Sequence, residues 1–116
     1  MAPSSTLLAG ALAVFCIGAA QASPRSIVGE WAATPGDCGT PAAYLVGPMS
    51  WTEDTLSCTF RSVVRQGDTV RWEGRCDGGN GASPESVVAS LDGERLAARF
   101  VRGGGSVGGL RRCPRR

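Results

Sequence analysis

The sequence contains no histidine and no lysine. Without an imidazole, the chain has no side chain to activate a serine, to shuttle protons near neutral pH or to take part in the usual zinc site. Without lysine it has no Schiff-base amine and no P-loop cation. Arginine supplies all twelve basic residues and cannot replace either, because it stays protonated and is useless as a base. Most hydrolase and transferase mechanisms are thereby excluded, so a protein that is not an enzyme and carries no cofactor is expected. Twelve basic against ten acidic residues leave a formal charge of +2, far from the balance of a dedicated nucleic-acid binder.

Long apolar runs are also scarce. The one present, Leu7 to Ala20, spans 14 residues and ends in Ala20-Gln21-Ala22, a small-x-small site for cleavage before Ser23. It falls short of the roughly 20 residues of a membrane span. Residues 1–22 are therefore expected to be an export signal, although Met1 to Thr6 carry no Arg or Lys. Residues 23–116 would form a single β domain with a basic C-terminal tail, located in the periplasm or outside the cell and without a transmembrane span.

Loss of Cys16 with the signal leaves Cys38, Cys58, Cys76 and Cys113, an even number in a short exported chain, so two disulfides are expected. The spacings contain no close cysteine pair of the kind that holds zinc. Four cysteines allow three connectivities. Cys38–Cys58 with Cys76–Cys113 is favoured, although one hairpin register sets Cys58 opposite Cys76.

No segment keeps a helical period, whereas short alternating runs recur. Leu56, Cys58 and Phe60 alternate with polar residues. After Gln66-Gly67-Asp68 the alternation resumes at Val70, Trp72, Gly74 and Cys76. Closing this hairpin on Arg65 and Thr69 sets Phe60 opposite Gly74 and Ser62 opposite Trp72. Residues 77–84 read as a loop. Beyond it, Val87, Ala89 and Leu91 lead into Asp92-Gly93, and Leu96, Ala98 and Phe100 return, with Ala89 expected opposite Leu96 and Val87 opposite Ala98. With 26–32, 43–46, 51–53 and 107–113, about eight short strands are expected. The fold class is all-β, a small antiparallel barrel or strongly curled sheet, since closure hides edge strands.

Several motifs have plain structural readings. Gly103, Gly105 and Gly108 satisfy G-x-G-x-x-G, but too few residues follow for a helix and a second βαβ unit. Asp77 and Asn80 lack the ligand alternation of a calcium loop. Glu53 and Asp54 are adjacent, would point to opposite sides of a strand, and form no acid/base pair. Arg111, Arg112, Arg115 and Arg116 make a basic C-terminal cluster suited to anionic lipid or polysaccharide. Trp51 follows the Gly47-Pro48 turn and is expected to be exposed. Trp51, Arg115 and Arg116 are the candidate partner-binding residues.

Gly29-Glu30-Trp31 resembles the Gly-x-Trp that opens calycin barrels, the lipocalins and the small periplasmic metalloprotease inhibitors. The wider layout is similar to small exported bacterial proteins without assigned activity. The resemblance implies structural roles for Gly29 and Trp31 and a cation–π partner for Trp31 in Arg111 or Arg112. The chain is too short for a lipocalin's ligand chamber, so a side-chain-filled interior is expected. Three functional classes follow: an envelope binding or structural protein, an inhibitor of a hydrolase that would present Gly47 to Trp51 as its anchor, or a binder of anionic surfaces.

Overall fold

In the computed structural model, which describes residues 25–115, the alternating runs form eight strands: β1 (Gly29–Ala32), β2 (Tyr44–Gly47), β3 (Ser50–Glu53), β4 (Leu56–Gln66), β5 (Thr69–Asp77), β6 (Ala82–Asp92), β7 (Arg95–Phe100) and β8 (Ser106–Arg112). Each pairs antiparallel with the next, and β8 returns to β1, so the sheet is a closed barrel. Closure removes the free edges that so short a set of strands would otherwise expose. The expected export segment and Arg116 lie outside the described residues. Among those residues, no helix is long and apolar enough to cross a membrane.

Up-and-down connectivity gives the barrel two ends. The base holds the incoming chain at Arg25–Val28, the turns at 48–49, 67–68 and 93–94, and the chain after β8. The crown holds the long loop 33–43, the turn 54–55 and the loops 78–81 and 101–105. The interior is filled by side chains. Trp31, Trp51 and Trp72 are each 1% exposed or less, and Leu96, Leu110 and Val87 are fully buried. Rings pack on one another inside: Phe60 stacks on Trp72 at 4.9 Å, and Trp51 meets Tyr44, Trp72 and Phe100 at 5.8 to 6.5 Å. Such packing leaves no ligand chamber, and truncating a buried Trp of this kind costs about 3–5 kcal/mol.

Turn chemistry sets a register that differs from the expected one in two places. In the β4–β5 hairpin the loop is the two residues Gly67-Asp68, with Gly67 at φ 60°, and Gln66 faces Thr69. A two-residue loop with glycine first matches the right-handed twist of the flanking strands. Val63, and not Ser62, therefore faces Trp72. A bulge between Phe60 and Ser62 then absorbs one residue, so Phe60 faces Gly74 and Cys58 faces Cys76 as expected. Gly74 is required by the backbone. A Cβ there would lie 2.2 Å from the Thr59 carbonyl oxygen.

The β6–β7 loop is Gly93-Glu94, with Gly93 at φ 64°, so Leu91 faces Leu96, Ala89 faces Ala98 and Val87 faces Phe100. The expected register is displaced by two residues, and an even displacement keeps every apolar side chain on its face. Strand β6 also starts at Ala82, inside the expected loop, carrying Pro84 opposite Arg75.

The favoured disulfide pairing is corrected. Cys38 bonds Cys113, and Cys58 bonds Cys76. The loop after β1 folds back along the outside of the barrel, held by the Glu30 carboxylate, which accepts from the Gly39 N–H at 2.6 Å. The Cys113 N–H meanwhile donates to the Glu30 carbonyl at 2.8 Å. Glu30 thus brings Cys38 and Cys113 together at the β1–β8 seam, far from β4.

Candidate functional site

A filled barrel can meet other molecules only through its outer face and its two ends. At the base, the chain entering β1 is laid across the opening. Ile27 is buried, and its carbonyl accepts from Trp31 Nε1 at 2.9 Å. The Arg112 guanidinium lies 4.4 Å over the Trp31 ring and donates to the carbonyls of Val28 at 2.9 Å and Ser26 at 2.6 Å. A stacked, doubly hydrogen-bonded guanidinium is held in one place, yet it keeps further N–H donors toward solvent. Gly29, at φ 146°, makes room for it: a Cβ would sit 2.9 Å from Arg112 Nη1. Two more arginines tie the base, Arg25 donating to the Gly93 carbonyl and Arg65 to the carbonyls of Gly67 and Arg25.

The crown uses acids. Glu85, buried at 7% exposure, accepts backbone N–H bonds from Ser86, Arg102 and Gly103 at 2.7 to 2.9 Å and so pins the β7–β8 loop. Glu53 accepts from Trp51 Nε1 at 2.9 Å. Partial burial, then the nearby charges of Glu53 and Asp37, push the Tyr44 phenol above its ordinary pKa. On the outer wall, the Ser86 hydroxyl donates to Glu73 at 2.5 Å; this bond and the neighbouring Arg71 hold the Glu73 carboxyl below the usual range. Arg71–Glu73, at 3.4 Å, is the only salt bridge among the described residues.

Of the residues singled out in the sequence, Gly29, Trp31 and Arg112 meet at the base. Arg111 is exposed on the outer face, a register partner of both Ala32 and Arg95. Arg115 is exposed and lines a basal depression of about 720 Å³ with Arg25 and Arg112. Arg116 falls outside the described residues. The expected exposure of Trp51 is overturned: it is 0% exposed, because its strand turns it inward among the rings of Tyr44, Trp72 and Phe100. The turn before it is tied down as well, with the Pro48 carbonyl accepting from Trp72 Nε1 and that of Met49 from the Phe60 N–H.

The glycine run leads from β7 into another strand. Asp77 bonds the Gly79 N–H at 2.8 Å, a turn contact. Among the described residues, no group of three or more His, Cys, Asp or Glu is placed to hold a metal ion.

Sequence reasoning missed Glu85 and the pairing of Arg95 with Arg111. A carboxylate in the inward parity of β6, in register with Gly74, was the available signal for the first. The second depended on a bulge described below.

Comparison with protein-family models, with curated proteins and with solved structures found no match to this chain.

Proposed function

We propose that the chain is an exported, non-enzymatic β-barrel of the small calycin-like kind that acts by binding through its outer surface. The observation carrying this reading is the interior, where three tryptophans at 1% exposure or less occupy the space a ligand or substrate would need. Export is supported by the two disulfides, which persist in oxidising compartments, and by the apolar run before Ser23. The family reading draws on Gly29, Trp31 and Arg112, whose contact closes one end of the barrel. The inhibitor alternative loses its anchor, because Trp51 is buried and the turn before it is hydrogen-bonded to the wall.

Fractionation with intact-mass measurement tests export. The expected product lies in the envelope fraction, starts at Ser23 and is about four hydrogens lighter than its reduced form. A cytoplasmic, full-length, reduced chain would overturn the reading. Binding is tested by presenting the oxidised protein to envelope extract beside its reduced, unfolded form. A partner retained only by the folded form supports the proposal, and turnover of a substrate by the purified protein defeats it.

A further inference from the structure

Among the described residues, the six arginines at the base, Arg25, Arg65, Arg95, Arg111, Arg112 and Arg115, have no carboxylate within 4.0 Å. Three of them, Arg25, Arg65 and Arg112, are committed to backbone carbonyls, which satisfy N–H groups but leave the charge in place.

Arg95 and Arg111 have no such bonds among the described residues and stand as direct cross-strand partners on β7 and β8, both exposed. Like charges directly opposite one another destabilise a sheet. A bulge creates this arrangement. Ala98 faces Val107, but Leu96 faces Leu110, so β8 inserts one extra residue at Gly108-Gly109, with Gly109 at φ 69°. Without the insertion the register would set Leu110 opposite Arg95 on the outside. With it Leu110 is fully buried and Arg111 is delivered beside Arg95. Arg112, one residue on and fixed against Trp31, lines the same depression of about 470 Å³, with Glu94 as its fourth lining residue. Asp92, the register partner of Arg95 on its other side, makes no salt bridge with it.

We propose that Arg95, Arg111 and Arg112 form a binding site for a phosphate-class anion. Three guanidiniums against the Glu94 carboxylate in the depression and the Asp92 carboxylate opposite Arg95 leave a net positive charge to be matched, and guanidinium forks suit the oxygens of a tetrahedral oxyanion. Binding relieves the Arg95–Arg111 repulsion, and Arg112 supplies spare donors already held in place. The proposal deepens the surface-binding reading by giving its ligand class, and rests on it for biological meaning. Its test uses purified, disulfide-intact protein, so its outcome is independent of where the chain resides.

Calorimetric titration with inorganic phosphate and pyrophosphate, chloride-matched for ionic strength, is run beside sedimentation with vesicles containing phosphatidylglycerol. Arg95→Gln and Arg111→Gln are each expected to weaken binding about tenfold, the loss of one charge-assisted contact. Arg61→Gln, exposed on β4, is expected to bind within about twofold of the parent, as long-range charge is screened.

Arg95→Gln should also raise the melting temperature without ligand while shrinking the rise that a fixed phosphate concentration gives, a crossing that a merely structural arginine would not produce. Binding of free phosphate, or of vesicles alone, with this dependence supports the site and identifies its source as soluble or lipid phosphate. No binding to any probe, or an Arg61→Gln loss equal to that of Arg95→Gln, overturns it.

Discussion

At the crown, carboxylates accept backbone N–H groups. Glu85 takes those of Ser86, Arg102 and Gly103, and Asp77 that of Gly79. At the base, guanidiniums donate to backbone carbonyls, Arg25 to Gly93, Arg65 to Gly67 and Arg25, and Arg112 to Ser26 and Val28. Arg75 on the Ala82 carbonyl is the exception at the crown. Both ends face the same problem, since the ladder stops there and leaves peptide groups without partners. Each answers it with one sign of charge, and because those charges bond to neutral peptide groups, neither is cancelled. The barrel is consequently polar along its axis. Asp37, Glu53, Asp54, Asp77 and Glu85 at the crown outnumber Arg75 and Arg102 there, and the six arginines at the base outnumber Asp68, Asp92 and Glu94, so a net charge of only +2 conceals a separation of charge. Net charge alone would never have pointed to a basic surface.

The largest expected effects come from cutting the staple nearest each end. Cys38–Cys113 spans 75 residues of sequence and Cys58–Cys76 spans 18. Loop-closure entropy then predicts a loss of about 4.5 kcal/mol for Cys38→Ala with Cys113→Ala and about 3 kcal/mol for Cys58→Ala with Cys76→Ala, read from urea unfolding. Equal losses would show that native packing, rather than chain entropy, sets the difference between seam and hairpin.

Next comes Glu85→Ala, which strands two loop N–H groups at the crown. A loss of about 2 kcal/mol is expected, with faster hydrogen exchange at Arg102 and Gly103 and unchanged exchange at the base. Arg112→Ala sharpens the comparison from the other side. Loss of a cation–π contact and two hydrogen bonds should cost about 1–2 kcal/mol, and Arg112→Lys should recover only part of it, because a point charge cannot both stack and fork.

The smallest effects are titrations. Tyr44 is the sole tyrosine, so ultraviolet titration reads it alone, and its midpoint is expected above 10.0. Glu53→Gln should move it down. For Glu73 the sign is opposite. A folded pKa held below the unfolded one contributes stability present above the unfolded value and lost as pH falls through the folded value, so Glu73→Gln should flatten the acid limb of stability.

Alternation and turn residues made the strands legible. In β5, Val70, Trp72, Gly74 and Cys76 lie buried while Arg71 and Arg75 face solvent, as a period of two requires. Register was harder to read, because a bulge leaves at most a glycine as its mark in the sequence. The Arg61 bulge rescued the Phe60–Gly74 pairing, and the Gly108-Gly109 bulge paired Arg95 with Arg111 in a way no count along the chain reveals. Trp51 was misjudged from its neighbour Pro48, since a local turn signal says nothing about which face of the next strand points inward.

What the amino-acid order determined by itself is the all-β character, the approximate strands and the inward set of side chains, because these depend on periodicities of a few residues. Only the tertiary structure decided which cysteines meet, which arginine lies on Trp31 and how charge divides between the ends. Those depend on how a long loop folds back and how bulges shift the ladder when the sheet closes. Closure joins residues as far apart as Trp31 and Arg112, and such contacts are governed by the geometry of the whole ring.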